Sequence, residues 1–164
     1  MNWIALSTIV ELLGAIAVLA TLVYLAAQTR QNADAITANT RQAILASDQE
    51  FLQAIRDDPE LELLRYKSEL TDREKIRLNF LYLTFARMRE SNWFQYQSGV
   101  LDRYTWESYR NSIVVMYSTP NGIKWWDFYM SRPGLWNPAF VSMASELLRE
   151  APLTTESRSL TIFD

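Results

Sequence analysis

The chain contains no cysteine and no histidine. Without thiols it can form no disulfide, and without either residue it lacks the usual ligands of zinc, haem and non-haem iron sites. The absence of imidazole also removes the commonest general base at neutral pH. Glycine is scarce, at four residues, and the four stand apart, so no glycine-rich phosphate loop exists. Positive charge is not in excess either. The formal net charge is −3, which provides no basic field for nucleic acid. No segment alternates apolar and polar residues between hairpin turns, so strands are not expected.

What the sequence does have is one long apolar run. Residues 3–27 carry a single formal charge, Glu11. At ~1.5 Å per residue such a helix is roughly 37 Å long, against about 30 Å of bilayer hydrocarbon. Trp3 and Tyr24 lie near its ends, where amphipathic rings favour the interface. A cleaved signal peptide calls for a basic stretch ahead of the apolar one, and "MNW" has none. A soluble core helix would rarely be so long and so uniformly apolar. Residues 1–29 are therefore expected to be a transmembrane anchor. Arg30 and Arg41 follow it, and the positive-inside rule then predicts an N-terminus outside and a domain in the cytoplasm.

Helical spacing gathers the polar and small residues of this run. Ser7, Glu11, Gly14, Val18, Thr21, Leu25 and Gln28 form one stripe, with Ala17 and Tyr24 beside it. Leu6, Ile9, Leu13, Ile16, Ala20 and Val23 occupy the opposite side, suited to lipid. A charged carboxylate near the bilayer centre costs ~2.5–3.5 kcal/mol even on insertion scales. Three readings of Glu11 stand. It is protonated or shallow enough to reach water; it meets a polar group of another transmembrane helix; or it lines a pore or proton path, which needs several copies of a single span. Glu11, Gly14, Ala17, Thr21 and Gln28 are the candidate interface residues.

Residues 30–57 contain neither glycine nor proline and read as a connecting helix. Asparagine and threonine lower helix propensity around residues 32–37, where a break is allowed. Ile36, Ala43, Ile44, Phe51, Ala54 and Ile55 recur at helical spacing, so the later half should lie on the domain. Residues 58–151 read as a helical bundle. Asp58-Pro59 opens a short helix running to Lys67, with proline in the first turn. Thr71 and Glu74 form a capping box for the next, and Gly99 stops it. Residues 78–86 are apolar almost all round, which marks a central buried helix. Thr105 is expected to cap a helix ending near Tyr117, while Thr119-Pro120 and Asn137-Pro138 open two more. The expected core is Leu78, Phe80, Leu81, Leu83, Phe85, Trp93, Trp125 and Trp126. Residues 152–164 are expected to be a loose tail, with Leu160, Ile162 and Phe163 able to dock.

No catalytic constellation emerges. Glu60 and Glu62 are too close in sequence to share a helix face as metal ligands. Serines and Lys67, Lys75 or Lys124 offer a nucleophile pair by composition only, and nothing brings any pair together. Arg87, Arg89 and Glu90 read as an exposed turn with an ordinary ion pair before they read as a buried polar node. The clusters "NWFQYQ" and "KWWDFYM" read as core packing before they read as a ligand pocket. Interleaved basic and aromatic residues for RNA stacking are not seen.

Three stretches, "ELLGAIAVLATLVYLAAQTRQN", "FQYQSGVLDRYTWE" and "TPNGIKWW", together resemble a widespread group of small bacterial proteins of unknown function. These have one N-terminal span and an α-helical domain. The likeness runs from the anchor to about residue 126. It implies a bacterial inner-membrane protein and no activity. The expectation is thus an all-α chain, a single transmembrane helix continuing into a small cytoplasmic bundle. It would be a non-enzymatic interaction module without cofactor or metal. Its partners would be the lipid bilayer and copies of itself or other membrane subunits, with no nucleic acid. The alternative is a homo-oligomeric pore or proton device centred on Glu11.

Overall fold

A 55-residue helix without glycine beyond Gly14 and without proline has nothing inside it to force a stop. In the computed structural model, which describes residues 3–155 and side chains from Ile9 onward, α1 (Trp3–Asp57) runs unbroken. The break allowed at residues 32–37 does not occur. Threonine stays helical there because its hydroxyl bonds back to the preceding turn, Thr37 Oγ1 to the Ala33 carbonyl at 3.0 Å, as Thr29 does to Leu25 at 2.8 Å. Asp58 and Pro59 end it. Five further helices follow: α2 (Glu60–Leu64), α3 (Asp72–Gln97), α4 (Arg103–Tyr117), α5 (Pro120–Met130) and α6 (Pro138–Glu150). No strand is present among the described residues, and the chain is all-α. It divides into two compact units, Met1–Gln42 and Ala43–Asp164.

Local chemistry sets most helix starts. The Thr71 hydroxyl accepts from the Glu74 N–H, and the Glu74 carboxylate accepts from the Thr71 N–H at 2.7 Å, closing the capping box. Thr119 caps α5 and Asn137 caps α6, each followed by proline in the first turn. α3 ends at Gln97, and Gly99 takes φ +75°, the left-handed conformation that suits glycine at a helix end.

Two boundaries differ from the sequence expectation. The cap of α4 is Asp102, not Thr105. The Asp102 carboxylate accepts both the Thr105 N–H and the Thr105 hydroxyl at 2.8 Å, because an anion suits the N-terminal dipole better than a hydroxyl. α2 stops at Leu64 rather than Lys67, and Pro59 sits at its N-cap. The Leu64 and Lys67 carbonyls both accept from Asn121 Nδ2 at 2.8 Å, which takes them out of any continuing helix.

The core lies in the second unit around α3. Its residues Leu78, Leu81, Tyr82, Phe85, Arg89 and Asn92 are buried at helical spacing. Tyr117 of α4 is fully buried, and its ring lies 5.0–5.9 Å from Tyr82, Phe85, Trp125 and Trp126. Its hydroxyl donates to the Tyr82 carbonyl at 2.7 Å, so the polar end of a buried ring is satisfied. Ile44 and Phe51 of α1, Leu61 and Leu64 of α2, and Phe140 and Ala144 of α6 complete the interior.

The expected core is corrected at Phe80, which is 61% exposed; Leu83 and Trp93 are half-buried and pack against the core. Residues 78–86 of α3 are apolar almost all round, but the neighbouring helices cover only part of that circumference. Ile36, expected on the packed stripe, is also exposed at 61%.

Candidate functional site

The span face is built on α1 alone. Glu11, Gly14, Ala17, Thr21 and Gln28 are all exposed, and among the described residues nothing beyond the adjoining turns of its own helix comes within 4 Å of a Cβ built at Gly14. The Thr21 hydroxyl donates to the Ala17 carbonyl at 2.8 Å, so it is satisfied inside its own helix. Among the described residues Glu11 has no hydrogen-bond or ionic partner. The most apolar window of α1 is wholly unburied, and the helix is long and apolar enough to cross a membrane.

The second unit carries a separate candidate, an open groove of about 560 Å³ between α3 and α5. Leu78 and Ile76 form one wall, Trp125 and Phe128 the other. Lys75 and Lys124 line it too. Trp125 Nε1 donates to Asn79 Oδ1 at 2.8 Å, which fixes the orientation of that amide. A second apolar groove of about 460 Å³, between α1 and α3, lies across the Ile76 ridge and is flanked by the exposed Phe80.

No family model, curated protein or solved structure matches the chain. Its functional reading therefore rests on its own residues.

Arg89 and Glu90 correct the expectation of an exposed turn. Arg89 is 4% exposed and Glu90 7%. The Arg89 guanidinium donates to Asp48 Oδ1 at 2.5 Å and lies 4.6 Å from the rings of both Phe85 and Tyr109. With its amide suitably oriented, Asn92 accepts from Arg89 Nη1 at 2.9 Å. Glu90 accepts the backbone N–H of Asn137 at 2.7 Å and pairs with Arg87 at 2.9 Å, so it fastens the start of α6 to α3. Arg65, also buried, donates to the carbonyls of Val115 and Met116 in the last turn of α4. These groups join helices; Arg65 also lines a cleft of about 190 Å³, and Asp48 and Asn92 one of about 230 Å³. Burial pushes the phenols of Tyr82 and Tyr117 upward, Tyr82 to about 12. The Lys67 ammonium and the capping-box bonds to Thr71 hold Glu74 down at about 2.

Sequence reasoning ranked the buried Arg89 node second because its partners Asp48 and Asn137 are 41 and 47 residues away from Arg89 and Glu90. It placed the aromatic clusters only in part. Trp125, Trp126 and Met130 are buried, as core packing requires, but Phe94 and Phe128 are 45% and 55% exposed. Among the described residues no three acidic side chains come together as a metal site. The docking expected of Leu160, Ile162 and Phe163 falls outside the described residues.

Proposed function

We propose that the protein is a membrane-anchored interaction module of a bacterial inner membrane. The N-terminal part of α1 spans the bilayer with the N-terminus outside, and the bundle lies in the cytoplasm. The span associates with another transmembrane helix, a second copy or a larger complex's subunit, through Glu11, Gly14, Ala17, Thr21 and Gln28. One observation carries the reading. Glu11, Gly14, Ala17, Thr21 and Gln28 share one side of an otherwise lipid-suited helix, and the described residues leave that side uncovered. In a bilayer, close backbone approach at small residues and polar contacts between helices drive association, each contact worth ~0.6–2 kcal/mol.

The test is disulfide cross-linking in native membranes, clean because the chain has no cysteine of its own. Gly14→Cys and Thr21→Cys should link between chains, and Leu13→Cys and Ile16→Cys should not. Equal linking at all four positions, or none at any, sinks the interface. Glu11→Gln should be tolerated if the carboxyl serves as a hydrogen-bonding group. Assembly that survives this change while ion or proton movement across the membrane stops would instead support a conducting device.

A further inference from the structure

The α3/α5 groove has the size and lining of a small-molecule site, about 560 Å³ and mostly apolar, with a few polar groups. Those polar groups are unevenly chosen. No carboxylate lines the groove, although acidic residues outnumber basic ones in the chain, 19 to 16. Two lysines line it. Lys124 has no ionic partner among the described residues. Lys75 has only Asp72, itself 95% exposed, at 3.0 Å, a pair of little worth in water. Asn79 is turned by its bond to Trp125 so that its Nδ2 donors have no acceptor among the described residues. Asn121 directs its Nδ2 inward to Leu64 and Lys67, which leaves Oδ1 as the groove's one amide acceptor.

The apolar lining is equally selective. The buried Trp125 indole, 8% exposed, already stacks with two rings, Tyr117 at 5.6 Å and Tyr129 at 4.6 Å. Phe128 meets Tyr129 edge-on at 5.2 Å, and Arg132 lies 4.2 Å over the Phe128 ring. A flat aromatic ligand would find no open face of Trp125 to stack on. What the groove offers is ring edges together with the aliphatic Leu70, Ile76 and Leu78. A flexible methylene chain can follow such a surface, whereas a rigid ring cannot.

We propose that this groove binds a single-chain aliphatic carboxylate. The chain lies along Ile76, Leu78 and the edges of Trp125 and Phe128, and Lys75, Lys124 and Asn79 Nδ2 receive the carboxylate. The apolar body supplies affinity in proportion to the area it removes from water. The two ammonium groups select the sign of the head group. The site is independent of the span contact and stands or falls separately from it.

The experiment uses the full chain in nanodiscs of zwitterionic phosphatidylcholine, with a photoreactive diazirine analogue of dodecanoate as probe. Labelled peptides are mapped by mass spectrometry. Saturable labelling of the segments 68–82 and 121–129 is expected, displaced by plain dodecanoate and not by dodecyltrimethylammonium. Lys75→Glu with Lys124→Glu should weaken displacement by about tenfold, because two exposed attractions become repulsions. Circular dichroism of this surface variant should be unchanged. Labelling confined to residues 9–27, equal displacement by the cationic amphiphile, or indifference to charge reversal would each overturn the site. Loss of labelling in nanodiscs of phosphatidylglycerol, with no added competitor, would also overturn it, since the occupant would then be a two-chain membrane lipid.

Discussion

Asp48→Ala is expected to be among the most damaging single changes in the second unit, although Asp48 is a polar residue on an outer helix. The reason is Arg89. Its side chain is 5% exposed, and among the described residues Asp48 supplies its carboxylate partner, at 2.5 Å. Removing one partner of a fully buried pair costs ~3–5 kcal/mol, because the remaining charge is stranded away from water. Two features reduce that figure. Asp48 is 21% exposed, so water can replace part of it, and Asn92 with the Phe85 and Tyr109 rings still faces the guanidinium. About 2–3 kcal/mol is the expected loss. Arg89→Met should cost less, because the partly exposed carboxylate can rehydrate. The double variant should be more stable than Asp48→Ala alone, since no charge is left unpaired. Thermal unfolding of the full chain in mild detergent, followed by near-ultraviolet circular dichroism, reads the tryptophan-rich core directly. At roughly 3–5 °C per kcal/mol for a unit of this size, Asp48→Ala should lower the midpoint by about 10 °C. A shift under about 3 °C, or a double variant that is the simple sum of the singles, would refute the account.

Three further outcomes follow from other sites. Gly122→Ala should destabilise the bundle by ~1–3 kcal/mol, because its Cβ would sit 2.6 Å from the Tyr117 carbonyl oxygen and 2.8 Å from Tyr117 Cα, backbone atoms that cannot yield; Gly14→Ala should leave the same midpoint untouched. Glu74, held at about 2, contributes stability that is complete above the ordinary carboxylate range and is lost as pH falls through about 2. Acid titration of Glu74→Gln should therefore show a lower midpoint at neutral pH and converge with the parent near pH 2. Burial raises both Tyr82 and Tyr117, so the stability that each contributes is complete below pH 10; that of Tyr82 is lost as pH rises through about 12, and that of Tyr117 at higher pH than an ordinary phenol. Of the eight tyrosines, two should ionise only as the core opens, so the last part of the tyrosinate absorbance should rise in one cooperative step that coincides with loss of the near-ultraviolet circular dichroism.

The elements that were legible in the sequence are those whose signals are local. Thr71 with Glu74, Thr119-Pro120 and Asn137-Pro138 each place a donor, an acceptor and a fixed φ within four residues, and nothing distant competes. The all-α class followed from such signals together with the lack of alternating segments. At α4 two local signals competed, and the carboxylate of Asp102 outdid the hydroxyl of Thr105. Long-range partners were not legible. The side of α3 that stays open at Phe80 depends on where α1, α2, α4 and α5 pack, and the burial of Arg89 depends on Asp48, 41 residues earlier. On the apolar N-terminal part of α1, alignment of Glu11 with Gly14 and Thr21 was readable from periodicity alone. In the proposed reading, what covers that face belongs to another chain.

The fastening of α2 has a consequence for the order in which the chain leaves the ribosome. A helix of five residues cannot hold itself. Its C-terminal end is held by partners far downstream, Arg65 on the carbonyls of Val115 and Met116, and Asn121 on those of Leu64 and Lys67. These pairs are separated by 50 to 57 residues. At ~5–20 residues per second, roughly 3–10 s of synthesis pass between Arg65 and the groups that lock it. Through that interval the Leu61 and Leu64 side chains, destined for the interior, have no finished core to enter. A ribosome stalled before codon 115 should hold a nascent chain cut readily by protease near residues 58–70, and one stalled well past codon 150 should not.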